Sequence, residues 1–555
     1  MGPFKDLMAS WYRAWFTFCL AYLISSLPLL AQEERAPSTD RASSSIIPSM
    51  VDDVPSVQSD HWAEWLDLKG QEYWGVAPDA CDDLLLARRL YLDLLGRVPS
   101  VSEVRDYLDL PTASRRKTLI HQLVFHEGSR SQDNARGFAE HWARQWRHTM
   151  VPQGMQGFAG TGELEAYLAK QFHDRVPFDR MMFPLIEMKD TARDGSYFRL
   201  SQSNPATYAA NVSRVMLGVR MECAQCHDHP FTDWKQEDFW GLAAFYSDLG
   251  PMAAGGTVSV RAGEIENEGK KYVAKYLWSE SGKGKADPSR VRFASWVTSS
   301  SNRQFASVAA NRLWQQLVGR GVFRAVDDLD TASSEQRQLL DELASKFASA
   351  KFPTQTLIAA ICKSRWYQAV SNDVPDAASS QANNEVRIEQ VDEVAKRARQ
   401  PFARPTKTLT PEQVFDSLEQ ALMLPISRLD PGSARWTGDR MQLISRLSES
   451  AGKTPEEYAA GVPQALMMMN GKMTSDAIGL ENSRLLRATL ESPFMSQKDR
   501  LETLCLATLS RNLTQGELSH FTEYINNKPN DEAKKRAHGE ILWALVNSPE
   551  FVLCR

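Results

Sequence analysis

The chain is predicted to be mainly α, two helical domains with a small β-hairpin insertion between them, and three observations predict it. Apolar residues recur at helical spacing through most of the 555 residues. Helix-start signals, a Ser or Thr cap with Glu or Gln three residues on, are repeated along the chain. Strand-like alternation is confined to one Gly-containing stretch between about residues 250 and 276.

Taken in order, Lys5 and Arg13 precede an apolar run from Ala14 to Ile24, broken by Ser25, Ser26 and Pro28 before Ala31 and a polar segment. A core of about eleven residues is too short for a membrane span, which needs about twenty, so residues 1–31 read as a cleaved signal peptide carrying Cys19 away with it. Residues 32–59, rich in Ser, Pro, Asp and Arg, read as a flexible tether. Residues 60–250 are expected to form the first helical domain. There Leu84, Leu85, Leu86, Leu90, Leu92, Leu94 and Leu95 make one helix stopped by Gly96 and Pro99, Ser100 and Glu103 cap the next, a third contains Ala139–Trp146, and a fourth spans Ala206–Leu217. Residues 251–292 hold the small β-rich insertion, with Gly255-Gly256, Val258, Val260, Tyr272 and Val273.

The second helical domain opens at 293–370, with helices over Phe305–Val318, stopped by Gly319, and Glu335–Phe347. A polar stretch, 371–405, is expected to be a linker or surface excursion, and helices resume over 406–555. Thr410-Pro411-Glu412-Gln413 and Thr454-Pro455-Glu456-Glu457 place a cap, an N1 proline and a capping partner, Thr514 and Glu517 repeat the signal, and a last helix takes in Ile541 to Val552.

Composition narrows the function. With 43% hydrophobic and 24% charged residues the mature chain can bury a full core, and no run after the signal peptide approaches membrane-spanning length. A formal charge of −5 and short, scattered basic clusters (Arg115-Arg116-Lys117, Lys396-Arg397, Lys534-Lys535-Arg536) argue against nucleic acid as partner. Fifteen tryptophans serve core packing unless their rings are exposed for carbohydrate stacking. No phosphate-binding loop, nucleophile elbow or H-E-x-x-H is present, Gly282-Lys283-Gly284 lacks the third glycine of a dinucleotide site, and Asp327-Asp328 reads as turn or cap duty, so enzyme status stays open.

The informative motif is Cys223-Ala224-Gln225-Cys226-His227, followed by Asp228. In an exported chain this C-x-x-C-H pentad points to one covalently attached haem c, each thiol adding to a vinyl group while His227 becomes the iron's proximal ligand. Met252 and Met188 are candidates for the sixth position, while His141 and His148, seven residues apart on one helix face, read as structural. Two alternatives stand beside haem: zinc or another transition metal on Cys223, Cys226 and His229, with His227 or Asp228, and a redox or disulfide dithiol acting as a clip in a scaffold or partner-binding protein. The entering helix, Ala206–Leu217, places the cysteines at a helix end or on its continuation. Cys81, Cys362, Cys505 and Cys554 are scattered singly and either pair or stay buried.

The run from Val215 to Phe231, including Cys223-Ala224-Gln225-Cys226-His227-Asp228-His229-Pro230-Phe231, with Trp234 and Phe239-Trp240, resembles the signature of the planctomycete secreted cytochrome-like proteins. Pro177-Phe178-Asp179-Arg180 resembles the stretch preceding that signature; Asn311-Arg312-Leu313-Trp314, Gly319-Arg320-Gly321 and Asp327-Asp328 resemble the opening of the family's second domain, and Leu542–Phe551 its terminal helix. The resemblance covers about Asp60 to Arg555. It implies two domains of uncharacterised function and a cytochrome-like role resting on the pentad, in electron transfer or haem-assisted oxidation with an unidentified redox or scaffold partner.

Overall fold

The computed structural model describes residues 55–151, 161–188, 204–248, 263–278, 289–329, 334–371, 402, 404–423, 444 and 483–555. The predicted signal peptide, most of the predicted tether, Gly255-Gly256, Val258, Val260, Gly282-Lys283-Gly284, most of the polar stretch 371–405 and the predicted Thr454 cap lie outside these residues.

The protein is mainly α, with two small two-stranded antiparallel sheets among the described residues. The first segment contains α1 (Pro55–Trp74), α2 (Asp83–Leu95), α3 (Val101–Asp109), α4 (Arg115–Val124), α5 (Ser131–Met150), α6 (Thr161–His173), α7 (Phe178–Glu187), α8 (Pro205–Leu217) and α9 (Gln236–Ala243). After the hairpin β1 (Glu264–Asn267) and β2 (Lys270–Val273) come α10 (Arg290–Val297), α11 (Arg303–Val318), α12 (Ser334–Ser349), α13 (Thr354–Lys363) and α14 (Arg365–Gln368). The last part holds β3 (Lys407–Thr408), α15 (Pro411–Ala421), α16 (Arg484–Leu490), α17 (Gln497–Leu509), α18 (Gln515–Asn526), α19 (Asp531–Val546) and β4 (Leu553–Cys554). The first described helix starts at Pro55, five residues before the predicted start of the first domain.

The capping chemistry read in the sequence is what the backbone uses. Reciprocal capping boxes open α3 (Ser100/Glu103), α15 (Thr410/Gln413) and α18 (Thr514/Glu517). Gly96 ends α2 with φ +73, and a Cβ there would sit 2.5 Å from His141 Nδ1. The hairpin turns through Glu268 and Gly269, both at positive φ, which is why it closes in two residues. The last helix stops at Val546, short of the predicted Val552, because Pro549 disfavours helical geometry at Ser548 and cannot donate a helical hydrogen bond. Leu553 and Cys554 instead pair antiparallel with Lys407 and Thr408.

One apolar core runs from Trp62 to Phe402 and so takes in both sequence segments; a second gathers Leu409, the helices after Ser483 and Phe551. Helix α2 is the wall between them. Leu86, Leu90 and Leu94 face the first core, Leu92 faces the second, and every residue from Leu86 to Leu95 is buried. Arg88, Arg89 and Asp93 lie on this buried helix, so each charge needs a partner inside the protein. Arg88 donates to the Thr508 and Phe551 carbonyls, both at 2.8 Å. Arg89 donates to the carbonyls of Tyr367, Ala369 and Arg555. Asp93 accepts from Tyr367 Oη (2.9 Å), Arg404 Nη2 (3.3 Å) and Lys407 Nζ (2.5 Å).

Asp93→Ala leaves Arg404, which is fully buried, without its counter-charge, and is expected to destabilise the fold by about 3–5 kcal/mol in urea unfolding; a loss below about 1 kcal/mol would mean that the cluster is not a stabilising tie.

Burial, with Arg144 beside it, pushes the His141 imidazole down to about 3 from its ordinary 6.5. Its folded pKa therefore lies below the unfolded one, so stability is intact above pH 6.5 and falls as the unfolded chain takes up the proton, by up to about 1.4 kcal/mol per pH unit towards pH 3. Urea midpoints measured from pH 7.5 to 4.5 should fall less steeply in His141→Leu than in the wild type; equal slopes would exclude His141 as a source.

Candidate functional site

Helix α8 runs towards the pentad but does not carry it. Gly218 takes φ +62 and ends the helix; a Cβ there would sit 2.5 Å from Val308 Cγ2, and its carbonyl accepts from Leu329 N at 2.8 Å. Helical continuation into the cysteines is thereby corrected: after Val219, Arg220 and Met221 the chain enters a separate 3₁₀ turn, Glu222–Gln225. Such a turn repeats every three residues, so positions i and i+3 share a face. Met221 and Ala224 face the core and are fully buried, whereas Cys223 and Cys226 both lie exposed. Two thiols three apart are thus presented outward because two apolar residues three apart point in.

The two imidazoles that follow differ in their free nitrogen. His227 is exposed, and its Nδ1 lies 2.7 Å from the Asp228 carbonyl oxygen. A carbonyl only accepts, so in the neutral ring Nδ1 carries the proton and Nε2 keeps the lone pair. His229 is the reverse: the backbone N–H of Phe231 donates to its Nδ1 at 3.3 Å, which engages that lone pair and leaves the proton on Nε2. Asp228 Oδ1 is also engaged, accepting from Gln236 N at 3.0 Å. Among the described residues no group of three or more His, Cys, Asp or Glu side chains is arranged to hold a metal ion.

The turn is held from behind. Gln236, first residue of α9, donates through Nε2 to the carbonyls of Cys226 (3.1 Å) and Gln225 (3.3 Å), and Trp240 Nε1 donates to Gln225 O at 3.0 Å. The Tyr272 hydroxyl of β2 donates to Gln236 Oε1 at 2.9 Å. Lys275 secures the hairpin to α9 through Asp238 (2.7 Å) and the Gly241 carbonyl (3.0 Å). His229 N to Trp234 O, 2.8 Å, closes a loop whose Phe231 is 91% exposed. Below the site Asp327 binds Arg312 and, at 3.2 Å, Arg214. Burial raises the Asp327 pKa, but the two guanidinium groups outweigh burial and hold the carboxyl below its usual range. Asp327 therefore ties α8 to the loop after α11, a task beyond turn or cap duty.

Other candidates lie elsewhere. Met188 is buried at the end of α7, and Met252 is outside the described residues. His141 is buried in the core, and His148 Nε2 pairs with Glu412 at 2.8 Å, as structural histidines do. Cys81, Cys362, Cys505 and Cys554 are free and buried. Gln236 and Tyr272 escaped the sequence reading, since neither carries a motif; the nearest signal was the Met221/Ala224 spacing, which marks the inner face of the turn.

Residues 68–250 match the family model PSCyt2, a protein of unknown function (DUF1549), and residues 289–421 match PSD1, a protein of unknown function (DUF1553). The PSCyt2 region precedes the PSD1 region, as expected of the two-domain family that the signature resembles. The pentad, Gln236 and Trp240 lie in the PSCyt2 region; Tyr272 lies between the two. No curated protein and no solved structure shows significant similarity to the chain. No helix among the described residues is long and apolar enough to cross a membrane.

In the chain lacking residues 1–31, and with them Cys19, two thiols are expected to react quickly with a small disulfide reagent, both lost in Cys223→Ser/Cys226→Ser, with Cys81, Cys362, Cys505 and Cys554 reacting only after denaturation. Fast reaction of a third thiol would contradict the burial of the other four.

Proposed function

We propose that this chain is an exported c-type cytochrome-like protein that attaches one haem through Cys223 and Cys226, with His227 as iron ligand, and serves electron transfer or haem-assisted oxidation with a redox partner. The carrying observation is the exposed turn on which two free thiols share a face and are followed by an imidazole whose Nδ1 is anchored to a carbonyl. Attachment needs both thiols in solution, and they are; ligation needs an imidazole nitrogen with a free lone pair, and His227 Nε2 has one. The donor set therefore fits the group. Haem bound here would supply one-electron exchange at iron, its sixth ligand deciding between electron transfer and ligand activation. The chain's own contribution is to fix the ring of His227 through its Nδ1–H and to hold the attachment turn against α9.

The basic residues Lys5 and Arg13 ahead of a short apolar run support export, and a c-type haem is attached outside the cytoplasm. The name of the matched PSCyt2 model is cytochrome-like, which agrees with this reading. A zinc clip on Cys223, Cys226 and His229, with His227 or Asp228, is less well supported, because Phe231 N engages the lone pair of His229 Nδ1.

The chain produced in a periplasm with haem-attachment machinery is expected to give one covalent haem per protein in a pyridine haemochrome spectrum, abolished in Cys223→Ser/Cys226→Ser. Absence of haem with stoichiometric zinc or iron in the native protein would overturn the proposal in favour of the metal clip. Absence of both would leave a dithiol or disulfide clip in a partner-binding protein.

A further inference from the structure

We propose that Gln236 is a positioning residue of the pentad, aimed by Tyr272, and that it sets how the two thiols are presented together. The inference rests on Cys223–His227 being the functional site, but not on which group attaches there.

The geometry is a relay of three hydrogen bonds with one polarity. A tyrosine hydroxyl has a single proton, and here it points at Gln236 Oε1, 2.9 Å away. That fixes the carboxamide with its oxygen towards β2 and its NH₂ towards the turn, where the Gln225 and Cys226 carbonyls can only accept. Tyr272 is itself held: it is 4% exposed, and its ring stacks on Trp240, whose Nε1 donates to the same Gln225 carbonyl. The Gln225 and Cys226 carbonyls flank the second thiol, one on each side of Cys226 in the backbone. Restraining them restrains the direction in which Cys226 leaves the turn relative to Cys223. The backbone N–H of Gln236 adds a further tie, to Asp228 Oδ1, so one residue holds the chain on both sides of His227.

A 3₁₀ turn of four residues with an exposed outer face has little to hold it otherwise, since its inner face offers only Met221 and Ala224 to the core. Restraint imposed before a ligand arrives removes an ordering cost when both thiols must engage it at once. The function of the hairpin follows: it packs on α9 and supplies the hydroxyl that orients the clamp.

Phenylarsine oxide tests this without haem. It takes two thiols from one chain, forming two S–As bonds while the arsenical oxygen leaves as water with both thiol protons, and no electron is transferred. The reduced full-length chain is expected to bind one equivalent, and Cys223→Ser none. Gln236→Leu and Tyr272→Phe are expected to bind about threefold to tenfold more weakly, the range for losing one or two neutral hydrogen bonds. Single alkylation of Cys226 by iodoacetamide and the thermal midpoint should stay at wild-type values. Unchanged or tighter arsenical binding in both variants, with the fold intact, would overturn the positioning role. If Gln236→Leu does not fold, Tyr272→Phe, which removes one oxygen, decides alone. Haem attachment measured on the same three proteins separates the two ideas. Wild-type chain without haem but with weakened arsenical binding in the variants sinks the haem reading and keeps the clamp; full haem attachment and unchanged arsenical binding in the variants sinks the clamp and keeps haem.

Discussion

The burial of charge on α2 is the constraint from which the rest of the architecture follows. A helix between two cores that carries Arg88, Arg89 and Asp93 inward can exist only if polar groups elsewhere come to meet it. They come from far along the chain: the carbonyls of Tyr367 and Ala369, the side chains of Arg404 and Lys407, and the carbonyls of Thr508, Phe551 and Arg555. The two-residue β3–β4 pairing of Lys407 and Thr408 with Cys554 and Leu553 would be marginal by itself. It sits where Lys407 and the chain end are already held by α2, which accounts for the terminal strand. A second set of charges repeats the device at the next helix pair, where Arg144 and Arg147 of α5 meet Asp416 and Glu412 of α15. Burial would raise the Glu412 pKa, but His148 and Arg147 keep it far below the usual carboxylate range, so this joint too is ionic at neutral pH.

The candidate site is built on the opposite plan. Its reactive groups face solvent and its scaffolding is inside. Gly218 stops α8, Asp327 and Leu329 hold that stop from the second segment, and the 3₁₀ turn puts its apolar residues in and its thiols out. The proposed attachment chemistry asks for little more than accessible thiols and an oriented imidazole, and a surface turn tied to a rigid helix by carbonyl hydrogen bonds supplies both. The contrast with the other cysteines is informative. Burial pushes the Cys505 thiol up to about 12 and raises Cys362 and Cys81 as well, which suppresses the thiolate form that reacts.

By itself, the sequence determined the mainly helical fold, because the signals for it are local: apolar spacing, Ser or Thr caps with partners three residues on, and Gly at helix ends all act within one or two turns. It also singled out the candidate site, since a C-x-x-C-H spacing is contained in five residues. Tertiary structure decided what depends on partners far apart in the chain. Asp93 reads in sequence as one more acid in a leucine-rich helix, and its meeting with Arg404 and Lys407 spans more than three hundred residues. The end of α8 at Leu217 was legible locally, but the packing of Val308 against Gly218 was not. The C-x-x-C-H spacing singles out His227 over His229, but which nitrogen of each ring is left free depends on the backbone carbonyl or amide that it faces. The same holds for Gln236 and Tyr272, whose role comes from a hairpin folding back onto α9. Local physics set the elements and the motif, while long-range pairing of buried polar groups, which no short window of sequence contains, set where they meet.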